Sequence, residues 1–368
     1  MRLLRFSAEG FRNIERCDIE FSDGANLLVG GNAEGKTNAI EGIYLFSRGR
    51  SFRTSDDKEL IGFGKEGFRI SIEYEDGDGV SVLEYALYGR QRQRKKNGYK
   101  LSGVSEMLGN FRSVLFFPDD LRLVKGEPEE RRSFLNVAIS QCYPSYISDY
   151  KRFKEALENR NSLLKSAAKG QYFDISELQA WGDVMAEYSA DICIKRRKYV
   201  SMLEVYAREH AHTLSGGREE LTLSHKCDIP DEITDREAVK NEYRRVYTEN
   251  LERERAAGTS LFGPQRDDLI IKINGTVAKS FASQGQQRSC VLSLKLAEGG
   301  VIKEIFGEYP VFLFDDVLSE LDEERRRYVA GKIGGMQTVI TSCEGTESLS
   351  GDVRVIHVEG GNYVSSHR

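Results

Sequence analysis

Ala25-Asn-Leu-Leu-Val-Gly30-Gly-Asn-Ala-Glu-Gly35-Lys36-Thr37 is the stretch on which the fold of this chain turns. Its apolar opening, ANLLVG, reads as a short strand, and the run after Gly35 reads as a helix. Between them, Gly30 to Thr37 matches the phosphate-loop pattern G-x-x-x-x-G-K-[ST]. The glycines let backbone N–H groups converge on phosphates, and the helix N-terminus behind them favours negative charge. Gly30, Gly31, Asn32, Ala33, Glu34, Gly35, Lys36, Thr37 and Asn38 are therefore the expected nucleotide contacts. Lys36 is expected to reach the β and γ phosphates, and Thr37 to offer an oxygen to Mg2+.

A second half of the site is expected almost three hundred residues later, at Val311–Asp316, VFLFDD. A buried parallel strand delivers Asp315 at its C-terminal end, where it can hold Mg2+ through water. Asp316 lies next to it and is expected to orient the attacking water, so that Asp316 and Lys36 carry the chemistry. Two acids closing a strand are common in α/β proteins; their weight comes from the phosphate loop that precedes them. Together the two halves point to ATP binding and hydrolysis with Mg2+.

Ser283-Gln284-Gly285-Gln286-Gln287-Arg288 opens a long helical run, and Ser319-Glu320-Leu321-Asp322 follows the paired acids. These resemble the signature motif and D-loop of ABC-type ATPases. A serine followed by N–H groups at a helix start is chemically a second phosphate-binding surface, although Ser283 suits an ordinary helix N-cap equally well. In the ABC class the signature (here Ser283, Gln284, Gly285 and Gln286) closes over the nucleotide of another protomer, with the D-loop (Ser319, Asp322) beside it. The resemblance thus implies an ATP-dependent homodimer. After MQTVIT stand Thr341 and Ser342, where many ABC ATPases place a phosphate-sensing histidine, so hydrolysis is expected to be slow.

Outward from these motifs, the first hundred residues read as short strands (LLRFSAEGF, IERCDIEF, ANLLVG, FRISIEYED, VSVLEYALYG) broken by one helix after Gly35. From Pro128 to Ala257 the pattern is helical, and Leu178, Met185, Ile192, Tyr199 and Tyr206 recur every seven residues with Trp181, Tyr188 and Met202 at partner positions and Lys195 breaking the series. Such a short seam suits packing within a compact bundle. Strands return at DDLIIKING and TVAKSF, a helix follows from Gln284 to Phe306, and the end reads as VFLFDD, ELDEERRRYVAGKI, MQTVITS and VRVIHV. The expected fold class is α/β: an ABC-type P-loop ATPase head with a β-rich N-terminal lobe and an inserted helical domain. Its expected boundaries are 1–127 for the first part of the head, 128–257 for the helical arm and 258–368 for the rest of the head.

Hydrophobic residues make up 39% and charged residues 30%, which excludes a disordered or membrane-embedded chain. MRLLRFSAEGFRN lacks the apolar core of a secretory signal, so the expected location is the cytoplasm, away from any membrane. Six cysteines are scattered without a CxxC pair, and no histidine stands at metal-ligand spacing, so neither a disulfide framework nor a zinc site is expected. His210 and His212 read as surface histidines. A net charge of −5 does not itself suggest nucleic acid. The acid-free run Arg90, Arg92, Arg94, Lys95, Lys96 and Lys100 does, and Asn97-Gly98 within it places the run on a hairpin. The alternative is a merely solvated turn.

GRSFRT at Gly49–Thr54, FFPDDLRLVKGEPEERRSFLN at Phe116–Asn136, FGPQRDD at Phe262–Asp268, ASQGQQRSCVLSLKLAE at Ala282–Glu298 and FDDVLSELDEERR at Phe314–Arg326 together resemble the bacterial RecF family. Ala33 stands where that family often has glycine, Gln265 where histidine is usual and Asn136 where aspartate is common. The resemblance implies a weak, DNA-dependent ATPase that dimerises on ATP and binds double-stranded DNA and single-strand/double-strand junctions. It also implies the RecO and RecR mediator proteins as partners in loading recombinase at gaps. Three other readings share the motifs: a transporter's nucleotide-binding subunit, an SMC-type head, whose coiled coils are far longer than this insertion, and a DNA clamp in which ATP is only a switch.

Overall fold

The computed structural model describes residues 1–318, 321–343 and 353–366. The chain divides into two compact units: Met1–Arg122, Tyr206–Glu219 and Ser283–Arg368 form the first, and Leu123–Val205 with Glu220–Ala282 the second.

In the first unit a six-stranded sheet is built around Ala25–Val29. Thr338–Ser342 and Val353–Glu359 flank that strand in parallel; Val311–Phe314 and then Ser113–Phe116 continue the sheet on one side, and antiparallel Asn362–Ser366 closes the other. ANLLV, TVIT, VFLF and SVLF are nearly continuous apolar runs because both faces of a parallel sheet are covered. A second sheet is antiparallel and runs, in order, Ile14–Glu20, Arg2–Phe11, Gly67–Asp76, Gly79–Tyr88, Gln91–Lys96 and Tyr99–Lys100. Helix Lys36–Arg48 touches both sheets: a Cβ on Gly42 would stand 2.6 Å from the Phe6 ring, and Ser47 Oγ lies 2.6 Å from Ser113 Oγ. That wedge fixes the helix N-terminus at the C-terminal edge of the parallel strands, the place where such sheets bind ligands. Gly49, with φ 79°, ends the helix.

The second unit holds helices Pro128–Cys142, Ser145–Ala168, Arg236–Glu249 and Leu251–Ala257 and most of the 40-residue helix Ile175–Leu214. Leu178, Met185, Ile192 and Tyr199 are fully buried, whereas Tyr206, Trp181, Tyr188 and Met202 are half-buried. Lys195 leaves the seam for Asp149, 2.6 Å away. The unit is not wholly helical. Leu221–Lys226 is a strand whose Leu221, Leu223 and His225 point inward, and it pairs antiparallel with Asp268–Ile273. The helical pattern predicts helix for this segment and a boundary between 257 and 258. Because the strand's partner lies beyond that boundary, the compact unit runs on to Ala282, and Tyr206–Glu219 groups with the first unit. TVAKSF is strand only at Thr276–Val277 and turns helical at Ala278–Phe281. Among the described residues no helix is long and apolar enough to cross a membrane.

Candidate nucleotide site

Strand Ala25–Val29 runs directly into the loop 30–35 and helix Lys36–Arg48, the local order the phosphate-loop pattern requires. Backbone crowding selects the glycines. A Cβ on Gly30 would stand 2.1 Å from the carbonyl oxygen of Val358, and Gly35 caps the helix in the left-handed region at φ 116°. Ala33 also has positive φ, 67°, so the residue that departs from the RecF-type pattern occupies a backbone shape glycine takes more easily; the cost to an L-residue is about 1–2 kcal/mol. Asn13, in the turn between the first two strands, donates from Nδ2 to Ala33 O (3.1 Å), and Tyr363 donates to Gly35 O (2.9 Å), bracing the loop from either side.

Lys36 is 8% exposed, and its ammonium donates to the carbonyls of Gly30 and Gly31, both at 2.7 Å. Thr37 Oγ1 donates to Asp315 Oδ1 across 2.8 Å, joining two motifs 278 residues apart in the chain. Thr341 Oγ1 donates to the same oxygen (3.0 Å) and accepts from the Asp316 N–H (2.9 Å). Burial pushes the Asp315 carboxyl above its ordinary range, while the two hydroxyl bonds pull it back. Two hard oxygen donors in contact, one of them a partly desolvated carboxylate, suit Mg2+. Asp316 has φ 54°, which turns it off the strand axis and leaves it exposed. Asn13, Asn32–Asn38, Arg53, Asp316, Thr341 and Cys343 line an open cavity of about 390 Å³, within the roughly 300–1,000 Å³ of ligand clefts.

Ser283 is the N-cap of helix Gln284–Phe306, in a reciprocal box: the Gln286 N–H donates to Ser283 Oγ (3.3 Å), and the Ser283 N–H donates to Gln286 Oε1 (2.8 Å). Ser283 and Gln284 are exposed, and Gly285 is half-buried. Asp322 caps helix Glu323–Ile333; Ser319 and Glu320 lie outside the described residues. Arg325, which no motif marks in the sequence, joins the two: Nε donates to Ser289 Oγ (2.9 Å), Nη2 to Gly285 O (3.0 Å) and Nη1 to Asp322.

Residues 2–358 match the family described as RecF/RecN/SMC N terminal domain. The chain is 40% identical over 361 residues to the DNA replication and repair protein RecF of Limosilactobacillus fermentum, covering 97% of this chain and 95% of that one. This chain belongs to the RecF family. Bacillus subtilis RecF is 35% identical across 93% of both chains. A solved structure of the recombination mediator protein RecF with ATPrS, in the RecFOR pathway, superposes with a TM-score of 0.92 at 32% identity, covering 99% of this chain and 97% of that one. A RecF–ATP structure matches equally well. The α/β head fold expected from the sequence is thereby established.

Two RecF-type positions that depart from the family pattern have clear surroundings in the second unit. Asn136 Oδ1 accepts from Tyr146 OH (2.6 Å) and Arg196 Nη2 (3.0 Å), so here a neutral amide serves as acceptor while Asp267 neutralises the fully buried Arg196 at 2.6 Å. Gln265 donates to Phe262 O (2.6 Å). Residues missed in the sequence include Glu41, fully buried and held by both arms of Arg12 (2.9 and 2.7 Å) and by Arg53 (3.2 Å). Its signal, a lone acid in a helix otherwise rich in apolar residues, is weak.

The basic run does form a hairpin, with Asn97 and Gly98 at φ 50° and 81°. It does not form one patch, because strand side chains alternate. Arg92, Arg94 and Lys96 share a face and are engaged by Asp57 (2.8 Å), the Tyr85 ring (4.7 Å) and Asn110 (2.7 Å). Lys95 and Lys100 oppose each other on the other face, and Arg90 is exposed in the preceding turn. His210 is likewise not a plain surface histidine: it is half-buried, with Nδ1 2.7 Å from Tyr328 OH, whereas His212 is exposed.

Proposed function

We propose that this RecF-family chain binds ATP with Mg2+ at Gly30–Asn38, hydrolyses it slowly, and on binding closes two copies into a dimer that holds double-stranded DNA near single-strand junctions. The observation that carries this reading is the 2.8 Å contact between Thr37 and Asp315, which brings the cation-holding groups of both motifs to one point beside the phosphate loop. Thr37 and Asp315 would hold Mg2+, whose contribution when bound is to neutralise phosphate charge. The loop N–H groups and Lys36 bind the phosphates, and Lys36 exchanges two carbonyl acceptors for phosphate oxygens. Asp316, exposed at the strand end, orients water. Ser283 and the N–H groups behind it present a second anion-binding helix start to a partner copy, with Asp322 held beside them by Arg325.

Cellular work follows from kinship. The family's name and the mediator role stated for its solved relatives support recombinational repair at single-strand gaps, with RecO- and RecR-type mediators as partners and recombinase loading as the outcome. One observation favours a second reading, in which ATP is a conformational switch and turnover is incidental: Thr341 and Ser342 are followed by Cys343, so no histidine follows that strand. DNA affinity measured with ATP, ADP and a non-hydrolysable analogue separates the two. Equal tight binding with ATP and analogue, and weak binding with ADP, marks a switch; tight binding with ATP alone marks a turnover-driven cycle. The same affinity in all three states would sink both.

A further inference from the structure

Three side chains that the sequence scatters meet inside the second unit. Cys193 lies on helix Ile175–Leu214; His225 is the penultimate residue of strand Leu221–Lys226, and Cys227 stands just past its end. Their ligand atoms all lie within 4.8 Å of one another, and the two Sγ atoms are 3.8 Å apart. A disulfide holds its sulfurs at about 2.05 Å, so this is not one. Two thiolates bound tetrahedrally to a single zinc at about 2.3 Å stand roughly 3.8 Å apart.

The histidine adds an independent observation. Its side chain is 2% exposed, and Nε2 meets Asp267 Oδ2 at 2.8 Å. That contact places the ring proton on Nε2 and leaves Nδ1 as the nitrogen the imidazole can offer. Nδ1 is buried and has the Cys227 thiol as its polar neighbour, so the free nitrogen faces another member of the same cluster. A metal-binding histidine has the same arrangement, with a carboxylate on its far nitrogen fixing tautomer and orientation. Around Cys227, Arg197 Nη2 donates to Sγ at 3.4 Å, and the Ile229 carbonyl lies at 3.4 Å. The guanidinium balances part of the charge two thiolates would bring. Soft sulfur with imidazole selects zinc over Mg2+, so the site would not compete for the cation of the phosphate loop.

We propose that Cys193, His225 and Cys227 bind one zinc ion, with Asp267 as the positioning residue for the imidazole, tying the long helix to the small antiparallel sheet. Spacing rules missed it because His225 and Cys227 are two apart on a strand end, which turns both toward one side, and Cys193 joins them only through the fold.

Cobalt is the probe, added to the metal-free full-length chain. The expected result is a sulfur-to-cobalt charge-transfer band with the intense visible bands of tetrahedral cobalt, saturating at one equivalent and displaced by zinc. Cys193→Ser and Cys227→Ser each abolish the band, Cys343→Ser keeps it, and His225→Gln weakens zinc affinity by at least roughly 10-fold. Zinc also raises the unfolding temperature of the wild type but of neither cysteine variant. No charge-transfer band in the wild type overturns the proposal, so the test survives even if a variant fails to fold. A band lost in Cys343→Ser moves the metal to the phosphate loop, and a thiol count of four from six cysteines with a Cys193–Cys227 bond makes the pair a redox centre. Either result also overturns it.

Discussion

Replacing Lys36 by alanine tests the phosphate site most directly, and the structure sets the size of the effect. The ammonium is buried and already donates to two carbonyls at 2.7 Å. Binding a phosphate therefore exchanges acceptors rather than creating bonds from water. A hydrogen bond to a charged group contributes about 1.5–3 kcal/mol. With acceptors already in hand, the gain on binding belongs at the lower end, about 1.5–2 kcal/mol, so Lys36→Ala should raise the ATP dissociation constant roughly 10- to 30-fold. Isothermal titration gives the constant, and thermal unfolding gives an independent check. At a nucleotide concentration 100 times the wild-type dissociation constant, ligand stabilises the wild type by about 2.7 kcal/mol; a 30-fold weaker site retains only about 0.9 kcal/mol. Without nucleotide the variant should unfold near the wild type, because the lost bonds are few and local to the site, to the Gly30 and Gly31 carbonyls and the Cys343 sulfur. Unchanged affinity in the soluble variant would refute the assignment. A large loss of stability without nucleotide would show instead that Lys36 mainly holds the loop together.

Asp316→Asn should bind ATP normally and hydrolyse it at least about tenfold more slowly, accumulating dimer; phosphate release at the wild-type rate would remove Asp316 from the chemistry. Mixing Lys36→Ala with Ser283→Arg should restore ATP-dependent dimerisation by light scattering, since one composite site is then intact, whereas neither variant does so alone; full activity in Ser283→Arg would leave Ser283 a helix cap only. On the hairpin, neutralising Arg90, Lys95 and Lys100 should lower the logarithmic salt slope of duplex binding by up to about 2.7, at about 0.9 per phosphate contact, while Arg92→Gln, already paired with Asp57, should change it little. Burial against Tyr328, with Lys332 nearby, depresses the His210 imidazole from 6.5 to about 4. The neutral ring favours the folded state, so that stability is complete above pH 6.5 and is lost as pH falls toward 4, by up to roughly 3 kcal/mol. His210→Gln should flatten this part of the pH–stability curve, and an unchanged curve would assign the loss to other groups.

The phosphate loop and the paired acids were legible because each is a contiguous run whose neighbours, a buried strand and a helix start, are local. Helix Gln284–Phe306 announced itself by the N-cap residue Ser283 ahead of its apolar run. What escaped is non-local. Leu221–Lys226 looks helical in its company and becomes a strand through pairing with Asp268–Ile273. Ser113–Phe116 is four residues long, and its place is decided by the neighbouring strand Val311–Phe314. Arg53 and Asn13 reach the cavity from turns whose position depends on the packed sheets. The basic hairpin was located correctly, but its composition hid the alternation that divides its charges between two faces.

Arg325 ties Gly285 and Ser289 at one helix start to Asp322 at the next. If those two helix starts are what a second copy meets, they arrive as a single preformed surface. Two independently moving segments would each lose conformational freedom on docking, at about 0.5–1.5 kcal/mol for every side chain immobilised. Here that ordering is complete when the chain folds. An intact guanidinium would then act chiefly on the rate at which dimers come apart and on how sharply nucleotide controls them, and a chain lacking it would keep its own nucleotide pocket yet release its partner sooner.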